Sequence, residues 1–112
     1  MRLTAMDVFN FDSASADMRE RAEIWSETLR VPAMSVGVYL LSADATDDQT
    51  PHDEDEIYYV VRGRAVLRIG SSSRAVVPGD CIFVAAGATH RFEDITDDLE
   101  LLVVFAPAYT GD

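Results

Sequence analysis

The sequence predicts an all-β domain, an antiparallel sandwich or barrel preceded by one helix. Three observations point there. A chain of 112 residues suits one domain with one modest core. Short runs rich in Val, Ile, Phe and Tyr succeed one another from residue 36 onward, parted by Gly, Pro, Ser and Asp turns. Apolar residues at helical spacing occur only before them.

In chain order, residues 12–30 read as the helix, with Met18, Ala22, Trp25 and Leu29 along one face, Ser13 or Ser15 as its cap and Pro32 beyond its end. Residues 36–41 form the first strand candidate and residues 42–49 a polar, acidic loop. Residues 56–61 and 64–69 are two β-rich runs parted by Arg62-Gly63, which reads as a hairpin. Residues 70–73 make a second turn. Residues 75–77, 81–84, 90–93 and 99–105 complete the series, with turns at Pro78-Gly79-Asp80, Ala86-Gly87-Ala88 and Asp97-Asp98. The chain thus divides into an N-terminal helical arm, 1–35, which packs on the barrel or on a partner copy, and a β domain, 36–112. Phe9, Phe11, Ile24 and Trp25 give the arm more apolar surface than a free tail needs, so a homodimer is expected.

Composition narrows the function. With 48% hydrophobic and 26% charged residues the chain can fold. No apolar run approaches the roughly 20 residues of a membrane span, and residues 99–108 are interrupted by Glu100. The N-terminal segment reaches acid at Asp7 without the apolar stretch of a secretory signal, so a cytoplasmic protein is expected. One cysteine excludes an intrachain disulfide and an all-cysteine zinc site. Acidic residues number 20 and basic residues 9, every one of the latter Arg, for a net charge of −11. That charge repels phosphate backbones and anionic membranes, so neither nucleic acid nor a membrane is an expected partner. A Lys-free, Asp-rich surface suits very high salt, where self-repulsion is screened; a high-GC genome produces the same composition.

Few side chains offer nucleophilic chemistry. Cys81 opens an apolar run and reads as a buried, inert thiol. No serine stands in a nucleophile-elbow pattern, serines 71–73 read as turn residues, and no glycine-rich loop cradles phosphate. Metal chemistry remains. The stretch Thr50-Pro-His-Asp-Glu-Asp-Glu56 holds one histidine and four carboxylates. In an extended strand Thr50, His52, Glu54 and Glu56 share a face, so His52 and Glu56 can reach one ion; an irregular strand start would turn Glu54 aside. Taken alone, the stretch reads equally as a solvated acidic loop, and His90 as an ordinary strand histidine.

Read together, the two segments carry a pattern. His52-x3-Glu56-x6-Gly63 is followed by Gly79-x5-Ala85-x-Gly87-x2-His90-x3-Asp94, with residues 64–78 between the motif glycines. This resembles the two motifs of the cupin superfamily, G-x5-H-x-H-x(3,4)-E-x6-G and G-x5-P-x-G-x2-H-x3-N, over residues 36–106. Thr50 stands where the first motif has its first histidine, Ala85 where the second has proline, and Asp94 where it has asparagine. The resemblance implies a double-stranded β-helix, or jelly-roll, barrel. It also implies a mononuclear divalent metal ion (Fe, Mn, Ni or Zn) on His52, Glu56 and His90. Gln49, one residue from Thr50, is a candidate for an extra amide oxygen by its position alone. Two histidines and one carboxylate suit non-haem Fe(II) oxygenases and leave coordination positions open. The implied function is a metal-binding protein acting on a small molecule, as oxygenase, isomerase or lyase; the alternative is a non-catalytic small-ligand barrel. Strand parity puts Tyr58 and Val60 inward with Glu56, and Tyr58 can place its hydroxyl near substrate. Tyr39, Phe83, Phe92 and Phe105 are candidate lining residues, and Arg68 is expected at the surface.

Overall fold

The structure, a computed structural model, describes residues 5–111; the first four residues of the expected arm lie outside it. One helix, α1 (Phe11–Glu20), precedes β1 (Trp25–Val31), β2 (Met34–Leu41), β3 (Asp55–Ile69), β4 (Ser72–Val76), β5 (Cys81–Val84) and β6 (His90–Ala106). All pairings are antiparallel, in the order β1-β2-β6-β3-β4, with β5 also on β3. No helix among the described residues is long and apolar enough to cross a membrane.

The two long strands carry the architecture. β3 and β6 pair from Asp55↔Ala106 to Ile69↔His90, while the first half of β3 also holds β5 and the second half holds β4. Each therefore serves two parts of one curled sheet. The Arg62-Gly63 hairpin and the Asp97-Asp98 turn are corrected accordingly: both lie inside continuous strands. Gly63 instead forms a bulge. Its φ is +97°, the register shifts on both sides of it, and a Cβ there would collide with the Asp98 carbonyl. A glycine that bends a strand and one that ends it look alike in sequence.

The helix is shorter than its apolar spacing suggests. Asn10, rather than either serine, caps it by accepting from the Ser13 backbone N–H at 2.9 Å. The chain leaves α1 through Ala22 at φ 56°, and Trp25 and Leu29 belong to a strand that pairs with β2. Trp25 is drawn there by tertiary packing, because Gly37 opposite leaves the space its indole fills. Met18 seats α1 on Val38 and Leu40, with Phe9 and Phe11 against them; burying one such side chain contributes about 1.5–3 kcal/mol. Buried Glu100 adds an ionic anchor, pairing with Arg19 and Arg62 and accepting from the Ser15 hydroxyl. Phe9, Phe11 and Trp25, the arm residues behind the expected homodimer, thus pack within the chain; Ile24 is exposed.

Alternation along β3 is as expected: Glu56, Tyr58 and Val60 are buried, and Ile57 and Tyr59 face out. Arg68 lies outward, paired with Glu93 at 3.0 Å. Two expectations on β5 reverse. Pairing Glu56↔Val84 turns Ile82 and Val84 inward, which leaves Cys81 and Phe83 exposed. The main core gathers Tyr58, Leu67, Phe92, Leu99, Leu101 and Phe105 between the layers.

Candidate metal centre

His52, Glu56 and His90 reach one point from three segments. Glu56 is the second residue of β3, held between Val84 of β5 and Phe105 of β6. His90 opens β6 opposite Ile69. His52 lies in the loop before β3, where its carbonyl accepts from the Gly87 N–H at 2.7 Å; the glycine turn of the second motif thereby positions the histidine of the first. The His52 ring is held edge-on by Phe105 and Tyr109, with centroids 5.1 and 5.4 Å away.

The ligand atoms lie within 4.8 Å of one another. Glu56 Oε1 is 3.2 Å from His90 Nε2 and 3.8 Å from His52 Nε2. That oxygen is buried and has no aligned hydrogen-bond donor among the described residues. An orphaned carboxylate oxygen facing two imidazole nitrogens is a costly arrangement unless a cation satisfies it, so these residues fit a divalent ion. The same charge acts on the His90 ring. Burial favours neutral His90, but the Glu56 carboxylate and then the Ala88 carbonyl outweigh it and hold its pKa above the usual histidine range.

Glu54 is turned away, as an irregular strand start allows. Its Oε2 accepts from the Thr110 N–H and hydroxyl at 3.1 and 2.6 Å. Asp53 and Asp55 are exposed on the other side. Thr50 borders the pocket without joining the cluster. Beside the triad opens a cavity of about 270 Å³ walled by Trp25, Tyr39, Tyr58, Val103, Phe105 and Tyr109. Of the proposed lining residues, Tyr39 and Phe105 border this cavity, Phe92 is core and Phe83 faces solvent. Burial, then Glu56, pushes the Tyr58 hydroxyl well above its ordinary pKa, so it stays protonated.

Trp25 and Tyr109, which wall the cavity, and Asp47, which accepts from the side-chain amide of the cavity residue Gln49, are residues that the sequence did not single out for the site. Trp25 was hidden in a helical spacing, and Asp47 in a loop full of similar acids.

A cupin-domain family profile matches residues 38–105, which span both histidines, the glutamate and most of the sheet. The chain is a cupin. An uncharacterized protein of Streptomyces coelicolor is 41% identical over 102 residues, covering 91% of this cupin and 97% of its relative. A Thermus thermophilus structure aligns with TM-score 0.74 at 24% identity, over 92% of this chain and 99% of the other. A cupin of double-stranded β-helix fold from Methanocaldococcus jannaschii aligns with TM-score 0.68 at 15% identity, over 75% and 79%. At such identities these structures speak for the fold, and the curled sheet is a double-stranded β-helix.

Proposed function

We propose that this cupin holds one divalent ion on His52, Glu56 and His90 and presents it to a small organic molecule in the adjoining cavity. The observation that carries the reading is Glu56 Oε1, buried, without a donor and aimed at both imidazoles. Two neutral imidazoles and one carboxylate suit Fe, Mn, Ni or Zn, and three protein ligands leave room for substrate. When bound, the ion supplies Lewis-acid polarisation of a substrate oxygen or, as iron, the redox chemistry of non-haem oxygenases.

The chain's own residues do the rest. Trp25, Tyr39, Phe105 and Tyr109 give the cavity an aromatic wall suited to a planar or apolar body. The Tyr58 hydroxyl keeps its proton and is a hydrogen-bond donor at the inner end of the cavity. Among the described residues no Arg lines the cavity and its one imidazole, His52, is a ligand in this reading, so recognition of an anionic head group would fall to the ion itself.

Metal stoichiometry of variants tests the reading. His52→Ala, Glu56→Gln and His90→Ala should each lose the ion, because each removes one of three ligands. Asp53→Asn and Asp55→Asn, on the outer side, should retain it. Full occupancy in all three site variants would remove the triad. Full metal loading of the parent chain with no turnover of any offered metabolite would favour the non-catalytic barrel.

A further inference from the structure

We propose that Gln49 supplies a fourth ligand atom, its side-chain oxygen, to the ion on His52, Glu56 and His90, and that Asp47 is the positioning residue that aims it. This rests on the triad reading and adds two residues to it. Gln49 Oε1 lies 3.1 Å from Nε2 of both His52 and His90. Ligand atoms held at about 2.0–2.2 Å from one ion stand roughly 3–3.5 Å apart. The amide oxygen therefore sits at the separation that a shared ion imposes.

Hydrogen bonding within the neutral cluster leaves Glu56 Oε1 without a donor, even where His52 Nε2 donates to Gln49 Oε1 and the Tyr58 hydroxyl to His90 Nε2. His90 Nδ1 is 2.8 Å from the Ala88 carbonyl, which can only accept, so Nδ1 carries the proton. In the neutral ring Nε2 then presents a lone pair, and it faces Gln49 Oε1 and Glu56 Oε1, which are acceptors too. The Tyr58 hydroxyl lies 3.0 Å from Gln49 Oε1 and 3.1 Å from His90 Nε2, but its one proton serves one of them at a time. A cation at the convergence satisfies the whole set.

The aim of the amide follows from chemistry. Gln49 Nε2 is 2.6 Å from Asp47 Oδ2. A carboxylate accepts only, so the amide nitrogen must face Asp47 and the oxygen must face the histidines. Asp47 is itself fixed, 4% exposed, accepting from the Tyr39 hydroxyl and the Phe92 N–H at 2.8 Å each. Position 50 offers a threonine at the first-motif histidine site, and the loop just before it delivers an oxygen instead.

Titration with Co(II) alone, read as affinity and as the visible spectrum of the loaded chain, tests the proposal. Gln49→Leu should weaken Co(II) by about tenfold or more and alter the absorption bands, since an oxygen leaves the coordination sphere. Asp47→Asn should weaken it about tenfold while keeping the parent spectrum at saturation, as expected of a group that acts through another. Should Gln49→Leu fail to fold, Gln49→Ala decides by the same two readouts: weakened Co(II) with altered bands supports the proposal, and parent affinity with parent bands overturns it. Unchanged affinity and bands in Gln49→Leu, with binding abolished in His52→Ala, overturn the proposal and leave the triad standing. Unchanged affinity in Asp47→Asn removes the positioning role. A parent chain that binds no Co(II) overturns both readings.

Discussion

Cys81 stands on the outer side of β5, across the ladder from Tyr59, with its thiol open to solvent. It should therefore react fully with a thiol reagent in native buffer, and Cys81→Ser should shift stability by no more than about 0.5 kcal/mol and leave metal content unchanged. Reaction only after denaturation would contradict that placement. The error in reading this residue as buried has a simple cause. Which alternate residues of a four-residue strand face inward depends on its pairing with β3, and pairing is invisible in the strand's own composition. His52, Glu56 and His90 were legible because motif spacing carries them across that gap, and parity then placed Tyr58 beside them. Asp47 was not. Its proposed role rests on contacts with Gln49, Tyr39 and Phe92 that only the fold assembles, and nothing in the sequence distinguishes it from Asp44 or Asp48.

At the scale of elements, Gly63 tests the account of how the long strands bend. With φ at +97° and the Asp98 carbonyl where a Cβ would go, Gly63→Ala should cost about 2 kcal/mol or more. Gly70 has φ 58° and open space around its Cβ direction, so Gly70→Ala should cost only about 1 kcal/mol. Urea unfolding midpoints compare them, and equal costs would show that the Asp98 contact is unimportant. The strand content of the sheet was legible from turn residues and β-rich runs, but its continuity was not. Bulges at Gly63 and around Asp97 interrupt the alternation that marks a strand, so two long strands look like four short ones. The second half of the expected helix failed for a different reason: the spacing of Met18, Ala22, Trp25 and Leu29 fits a helix, yet Trp25 gains more by filling the space over Gly37.

For the whole molecule, a net charge of −11 with no lysine sets a self-repulsion that added salt screens. The melting temperature should rise between low salt and molar KCl; an unchanged or falling midpoint would assign the composition to genome bias instead. The same charge adds to the field at the candidate metal centre, where His52 and Glu56 line one aromatic cavity with His90 beside them. Everything proposed for this cupin depends on an ion at that place. The most direct measurement is elemental analysis of the full chain, purified without nickel affinity, stripped by chelator and reloaded in turn with Fe(II), Mn(II), Ni(II) or Zn(II). A mononuclear centre predicts about one ion per chain for at least one of these metals, with Glu56→Gln well below that. A parent chain that retains none of the four, or a Glu56→Gln chain that loads as fully as the parent, would contradict it.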